Sequence, residues 1–149
     1  MIETIYNNRI LALAAEIPRI GRLPQPDATA TAHSKLCGST VIVDVVLKDG
    51  RIADYAHELK ACALGQASAS ILARNVIGAS IDELRAGRDA LRKMLKENAP
   101  PPKDRWEEIA VLEPVREYKV RHASTLLAFE AVVEAAEKAE KNALKSRSG

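Results

Sequence analysis

A chain of 149 residues is long enough to bury one core without disulfide staples, and 47% apolar content with only 3% aromatics requires Ala, Leu, Val and Ile to fill it. A formal net charge of +2, with acids and bases interspersed, excludes the clustered Lys/Arg footprint of a nucleic-acid surface. No apolar run is long enough to cross a bilayer and Met1–Arg9 lacks the order of a secretory signal, so the expected setting is cytoplasmic, away from membranes.

Apolar residues at Ile2, Ile5, Tyr6, Ile10, Leu13 and Ala14 predict a first helix over residues 2–17, ended by Pro18. The proline- and glycine-rich stretch that follows leads into a Thr/Ala alternation that reads as a short first strand. The β-branched run Thr40 to Leu47 predicts a second strand, and Lys48-Asp49-Gly50-Arg51 a hairpin turn into a third, "IADYAHEL".

After Cys62 the small residues of "ALGQASASILARNVIG" predict a helix lying close on the sheet, with Gly78 as its stop. Ser80 then caps the next helix, with Glu83 three residues on. That amphipathic helix runs to Asn98, where "APPPKD" ends it, and Trp106 to Leu112 reads as a short helical turn. Ser124 is the expected N-cap of a long last helix, which gives way to a polar tail at residues 141–149. The domain proper is residues 1–140. The expected class is α+β, a three-stranded antiparallel sheet packed against about five helices.

Two cysteines carry most of the chemical signal. Cys37 opens the second strand and Cys62 sits where the third gives way to a helix, so a hairpin between them brings both to one edge of the sheet. A helix N-terminus favours the thiolate form at Cys62, Lys60 adds a nearby positive charge, and Gly38 lets the backbone beside Cys37 turn. Buried filler, metal ligands and redox chemistry are all open readings of such a pair. Zinc needs four ligands, and the further candidates are His33, His57, Asp44, His122 and Ser124. Of these His57 falls on the opposite face of its strand, and Asp44 reads as a solvated mid-strand carboxylate. Nothing has the arrangement of a conventional enzyme: there is no glycine-rich phosphate loop, and Ser, His and Asp occur at ordinary spacing.

At "LCGS", "KACALGQASAS" and "LEPVREYKVRHASTLLAFEAV" the chain resembles the U-type iron-sulfur cluster assembly scaffolds, the NifU N-terminal, IscU and SufU family, and "IYNNRILALAAEIPRIG" is similar to that family's first helix. The extra helical material "ALRKMLKENAPPPKDRW" and the motif "LEPVREY" resemble the SufU branch. The resemblance implies the SufE/NifU-like fold and a scaffold that is not an enzyme. Three cysteines and an aspartate hold iron, a nascent cluster or zinc in this family. Cys37 matches the first cysteine and Cys62 the second, whereas Ser39 stands at the aspartate and Ser124 at the third cysteine. His122, two residues before Ser124, is the candidate replacement ligand.

The implied cofactor is an iron-sulfur cluster, a labile [2Fe-2S] unit, or iron, with zinc as the alternative. The implied partners are a cysteine desulfurase and apo-protein recipients. Because a [2Fe-2S] unit takes four ligands, a homo-oligomer pooling Cys37 and Cys62 of two chains is one way to complete the set. A zinc-binding sulfur acceptor and an interaction module that has lost cluster assembly are the competing readings.

Overall fold

The computed structural model describes residues 7–35 and 38–148. Helix α1 spans Asn8–Ala15, and the Asn7 side chain accepts from the Ile10 N–H at 3.0 Å to cap it. The part of the expected first helix before Asn7 lies outside the described residues. Strands β1 (Ala28–His33), β2 (Thr40–Lys48) and β3 (Arg51–Lys60) then form one antiparallel sheet in the order β1-β2-β3. Helix α2 follows at Ala63–Asn75 and α3 at Ile81–Lys96. Two 3-10 segments, Asp104–Glu117 and Lys119–Arg121, lead into α4 at His122–Ser148. The α+β class expected from the sequence is the observed one.

Local chemistry explains the turns. The β2–β3 hairpin closes through Asp49 and Gly50, whose φ of 54° and 76° carry the type I′ signature, the turn whose twist matches that of the strands it joins. At α3 the expected capping box is complete: the Ser80 hydroxyl accepts from the Glu83 N–H and the Glu83 carboxylate accepts from the Ser80 N–H.

Val41, Val43 and Val45 of β2, with Ala28 and Ala30 of β1 and Tyr55 of β3, point into the core. Helix α4 covers that face of β1 and β2, and α2 and α3 pack on the other sides of α4. Because α4 is surrounded, Leu126, Leu127, Phe129, Val132 and Val133 are all buried, and each such side chain contributes about 1.5–3 kcal/mol. Trp106 meets Phe129 edge-on at 5.4 Å, and its indole lies on Gly87 and donates to the Glu83 carbonyl.

Two expectations are corrected here. The small residues of α2 bring it close to α4 and α1 more than to the sheet, with the Ser68 hydroxyl donating to the Thr125 carbonyl at 2.6 Å. The polar segment from residue 141 continues α4 to Ser148, and the Asn142 amide donates to the Asp27 carbonyl beside β1.

The other face of the sheet is crossed by a strap. Its start is pinned to the free edge of β3, where His57 and the Arg19–Gly21 backbone exchange two hydrogen bonds, and its end is tied to β2 by the Asp27 N–H on the Val45 carbonyl. Asp44 holds the middle. Its carboxylate is fully buried and accepts from Arg22 twice, at 2.7 and 3.1 Å, from the Leu23 N–H and from the Thr29 hydroxyl. The expected solvated carboxylate is thus a buried anchor, because the strap covers a face that strand alternation alone leaves to water.

Candidate functional site

The register of the sheet sets the site. Thr40 pairs with His33 on one side and Lys60 on the other, so the β1–β2 loop and the β3–α2 junction leave the sheet at the same rim. The loop is closed by hydrogen bonds from the Ser34 N–H to the Ser39 carbonyl and from the Gly38 N–H to the Ser34 carbonyl, with Gly38 at φ 69° as its turn requires. Cys37 belongs to this loop and lies outside the described residues.

Cys62 is the N-cap residue of α2, half-buried, and its side chain makes no capping hydrogen bond. Its sulfur therefore stands at the helix end where unpaired N–H groups gather. Across from it, 3.6 Å from Sγ, is the Ser124 hydroxyl. Ser124 is not the N-cap expected from the sequence: α4 begins two residues earlier, continuing from the 3-10 turn, and the Ser124 hydroxyl donates to the Arg121 carbonyl at 3.3 Å.

What lets the two meet is Gly65, which sequence reasoning passed over. A Cβ there would lie 2.9 Å from the Ala61 Cβ and 3.3 Å from the Ser124 carbonyl oxygen. The signal was its place one turn after Cys62 in a run of small residues, on the helix face that carries Cys62.

The histidines are occupied elsewhere. The buried His122 imidazole directs Nε2 at the carbonyls of Val115 and Arg116, both at 3.1 Å, so that nitrogen carries its hydrogen and only Nδ1 keeps a lone pair. His33 is exposed and shares a 3.0 Å hydrogen bond between Nδ1 and the Thr40 hydroxyl across the strand pair. His57 is fully buried, its Nε2 donating to the Pro18 carbonyl and its Nδ1 facing the Tyr55 hydroxyl at 3.4 Å. Burial holds His57 below the usual imidazole range, partly opposed by the Pro18 carbonyl, and pushes the Tyr55 phenol up.

At Asp44 burial is the largest influence and raises the carboxyl, but the hydrogen bonds from Arg22, Thr29 and Leu23 outweigh it and leave the group below its usual value. With every acceptor direction taken, Asp44 has none to spare for a metal. Ser39 is buried in the loop beside Gly38. Among the described residues no three His, Cys, Asp or Glu side chains form a metal-ligand cluster, and no helix is long and apolar enough to cross a membrane.

Chemically, the described part of the rim offers one soft sulfur donor, Cys62, with the neutral Ser124 hydroxyl beside it. The family model of the NifU-like N terminal domain matches residues 5–125. The chain belongs to this family. Among its relatives, the iron-sulfur cluster assembly scaffold protein IscU of Thermotoga maritima is 26% identical over 141 residues, covering 93% of this chain and 96% of that protein.

Solved structures agree with the fold. A nitrogen-fixing NifU-like protein (N-terminal) from Brucella abortus is 59% identical, with a TM-score of 0.92, over 94% of this chain and 97% of that one. A putative SUF-system scaffold, SufU, from Fervidobacterium islandicum shares the fold at a TM-score of 0.83 and 19% identity, over 90% and 98% of the two chains. The resemblance read from the "LCGS", "KACALG" and "HASTLLAF" stretches is therefore one of common family. In this NifU-like chain Ser124 and Cys62 are side-chain neighbours.

Proposed function

We propose that this chain is an iron-sulfur cluster assembly scaffold, a binding protein and not an enzyme, in which Cys62 and Cys37 hold iron or a labile [2Fe-2S] unit as cargo and release it to recipient apo-proteins. The sulfur comes from a cysteine desulfurase, and the setting is the cytoplasm. Family membership supports the scaffold role.

The observation that carries the ligand assignment is the 3.6 Å between Cys62 Sγ and Ser124 Oγ. Two donors about 2.3 Å from one tetrahedral ion stand roughly 3.8 Å apart, so these side chains have the spacing of neighbouring ligands. Cys62 is the soft donor of the two, and the neutral Ser124 hydroxyl is a poor substitute for thiolate. A role for His122 at the metal runs through Nδ1 alone. An incomplete ligand set on one chain holds its cargo weakly, which suits a protein that must give it up, and a second chain's cysteines can complete a set of four.

Anaerobic reconstitution with ferric iron and sulfide, which together supply the oxidation states of a [2Fe-2S] unit, tests the reading. The native chain is expected to take up iron and acid-labile sulfide with the visible absorption of a cluster, and Cys62→Ala to lose most of both. A native protein that takes up no cluster in any oligomeric state overturns it. One zinc per chain without labile sulfide assigns the same residues to a zinc-binding sulfur acceptor instead.

A further inference from the structure

The Cys62 sulfur stands at ligand spacing from Ser124, yet nothing on its own side chain fixes it there. It makes no capping hydrogen bond, and among the described residues its polar contact is the long one to the Ser124 hydroxyl. The backbone must therefore hold the thiol in place. Strand β3 ends its pairing at Lys60, opposite Thr40, and α2 begins at Ala63, so Ala61 and Cys62 form a two-residue junction between ladder and helix.

Gln66 meets both carbonyls of that junction. Its backbone N–H donates to the Cys62 carbonyl at 2.9 Å, and its side-chain amide turns back so that Nε2 donates to the Ala61 carbonyl, also at 2.9 Å. The first is the ordinary helical bond that any residue except proline makes at this place. The second is specific to the side chain, since it needs an N–H donor on an arm that reaches five residues back.

That second bond acts directly on the cysteine. The Ala61 carbonyl and the Cys62 Cα belong to one rigid peptide plane, so fixing the carbonyl fixes the plane from which the Cys62 side chain departs. The bond is partly buried, where water competes less for the donor. Gly65 serves the same junction differently, because its missing Cβ leaves room for Ala61. Gly65 permits the close approach and Gln66 sets the orientation.

We infer that Gln66 is a positioning residue for Cys62: its side-chain amide locks the β3–α2 junction so that the sulfur stays at ligand spacing from Ser124. Gln66 itself touches no cargo. The consequence for cargo rests on Cys62 being a ligand, as proposed above, whereas the hold on the thiol is measurable without any metal.

Thiol labelling of Cys62 in the full chain, read by peptide mass spectrometry over a series of urea concentrations below the unfolding transition, tests that hold. Gln66→Leu keeps a good helix former and removes the donor. Its Cys62 is expected to label about fivefold faster than in the native chain, the shift in a local equilibrium that one hydrogen bond supports, at a rate flat in urea because the junction opens without the rest of the fold. An unchanged rate overturns the inference. So does a rate that climbs with urea along the global unfolding slope, which makes Gln66 a brace for the fold as a whole. Cobalt(II) titration carries the test to the metal: the thiolate-to-cobalt absorption band is expected in both chains, with affinity about fivefold weaker in Gln66→Leu. Equal affinities overturn the positioning role. A native chain without the band overturns the ligand reading of Cys62 instead, and the labelling rates still decide whether Gln66 holds the thiol.

Discussion

The Asp44 knot and the Cys62 rim are both polar features that depend on residues distant in sequence, and they are built in opposite ways. At Asp44 four hydrogen bonds from three residues converge on one fully buried carboxylate. At Cys62 the sulfur is half-exposed, caps nothing, and has one long contact to a hydroxyl. A polar group whose acceptor directions are all filled holds the fold together and cannot bind anything else. One left with an open side can accept a ligand, and the protein forgoes some stability to keep it open.

Removing the closed feature gives the largest stability effect. Asp44→Ala strips the acceptor from the Leu23 N–H and the Thr29 hydroxyl beneath the strap, and is expected to lower unfolding free energy by roughly 3 kcal/mol in urea denaturation. The same carboxylate sets an acid dependence. Its folded value lies below the usual 3.8, so its stabilising contribution is fully present above that value and is lost as pH falls through the lower folded one. Asp44→Asn is therefore expected to flatten the acid limb of the stability profile below about pH 4. An unchanged limb would mean that other carboxylates govern acid unfolding.

Locally encoded features were legible in the sequence. Asp49-Gly50 dictates its turn, Ser80 and Glu83 dictate a cap, and the β2–β3 hairpin brings Thr40 and Lys60, and with them the Cys62 junction, to one rim, because an antiparallel pair returns to the end it left. Asp44 was not legible, since its burial depends on a strap that returns from the far edge of the sheet and no periodicity within β2 announces it. Ser124 misled for a related reason. Its residue type suits an N-cap, but the 3-10 turn at Lys119–Arg121 starts the helix early and frees the hydroxyl to face Cys62. His122 has a ligand's chemistry, yet its Nε2 is committed to two carbonyls that only the folded turn brings within reach.

The open feature is sharpened by Gly65, where a side chain would wedge α2 away from α4. For Gly65→Ala the overlap with Ala61 and the Ser124 carbonyl, offset in part by better helix propensity, is expected to cost about 2 kcal/mol. Because the displaced element begins at Cys62, thiol labelling of that residue should quicken in the native state. A variant destabilised without any change in labelling would show that the crowding is relieved away from the rim.

The smallest stability effect belongs to Ser124 itself. Its hydrogen bond to the Arg121 carbonyl is long at 3.3 Å and its contact to Cys62 is weaker still, so Ser124→Ala should shift unfolding by less than about 1 kcal/mol. The informative partner is Ser124→Cys, which nearly preserves side-chain size while placing a second thiol at ligand spacing from Cys62. If the rim is where cargo binds, that variant should retain iron or zinc at least about tenfold more tightly than the native chain, since thiolate replaces a hard, neutral oxygen. Near-silence in Ser124→Ala combined with a gain in Ser124→Cys separates a position that holds the fold from one that faces the cargo. No gain in Ser124→Cys would move the metal site away from this rim, whatever the spacing of the two side chains.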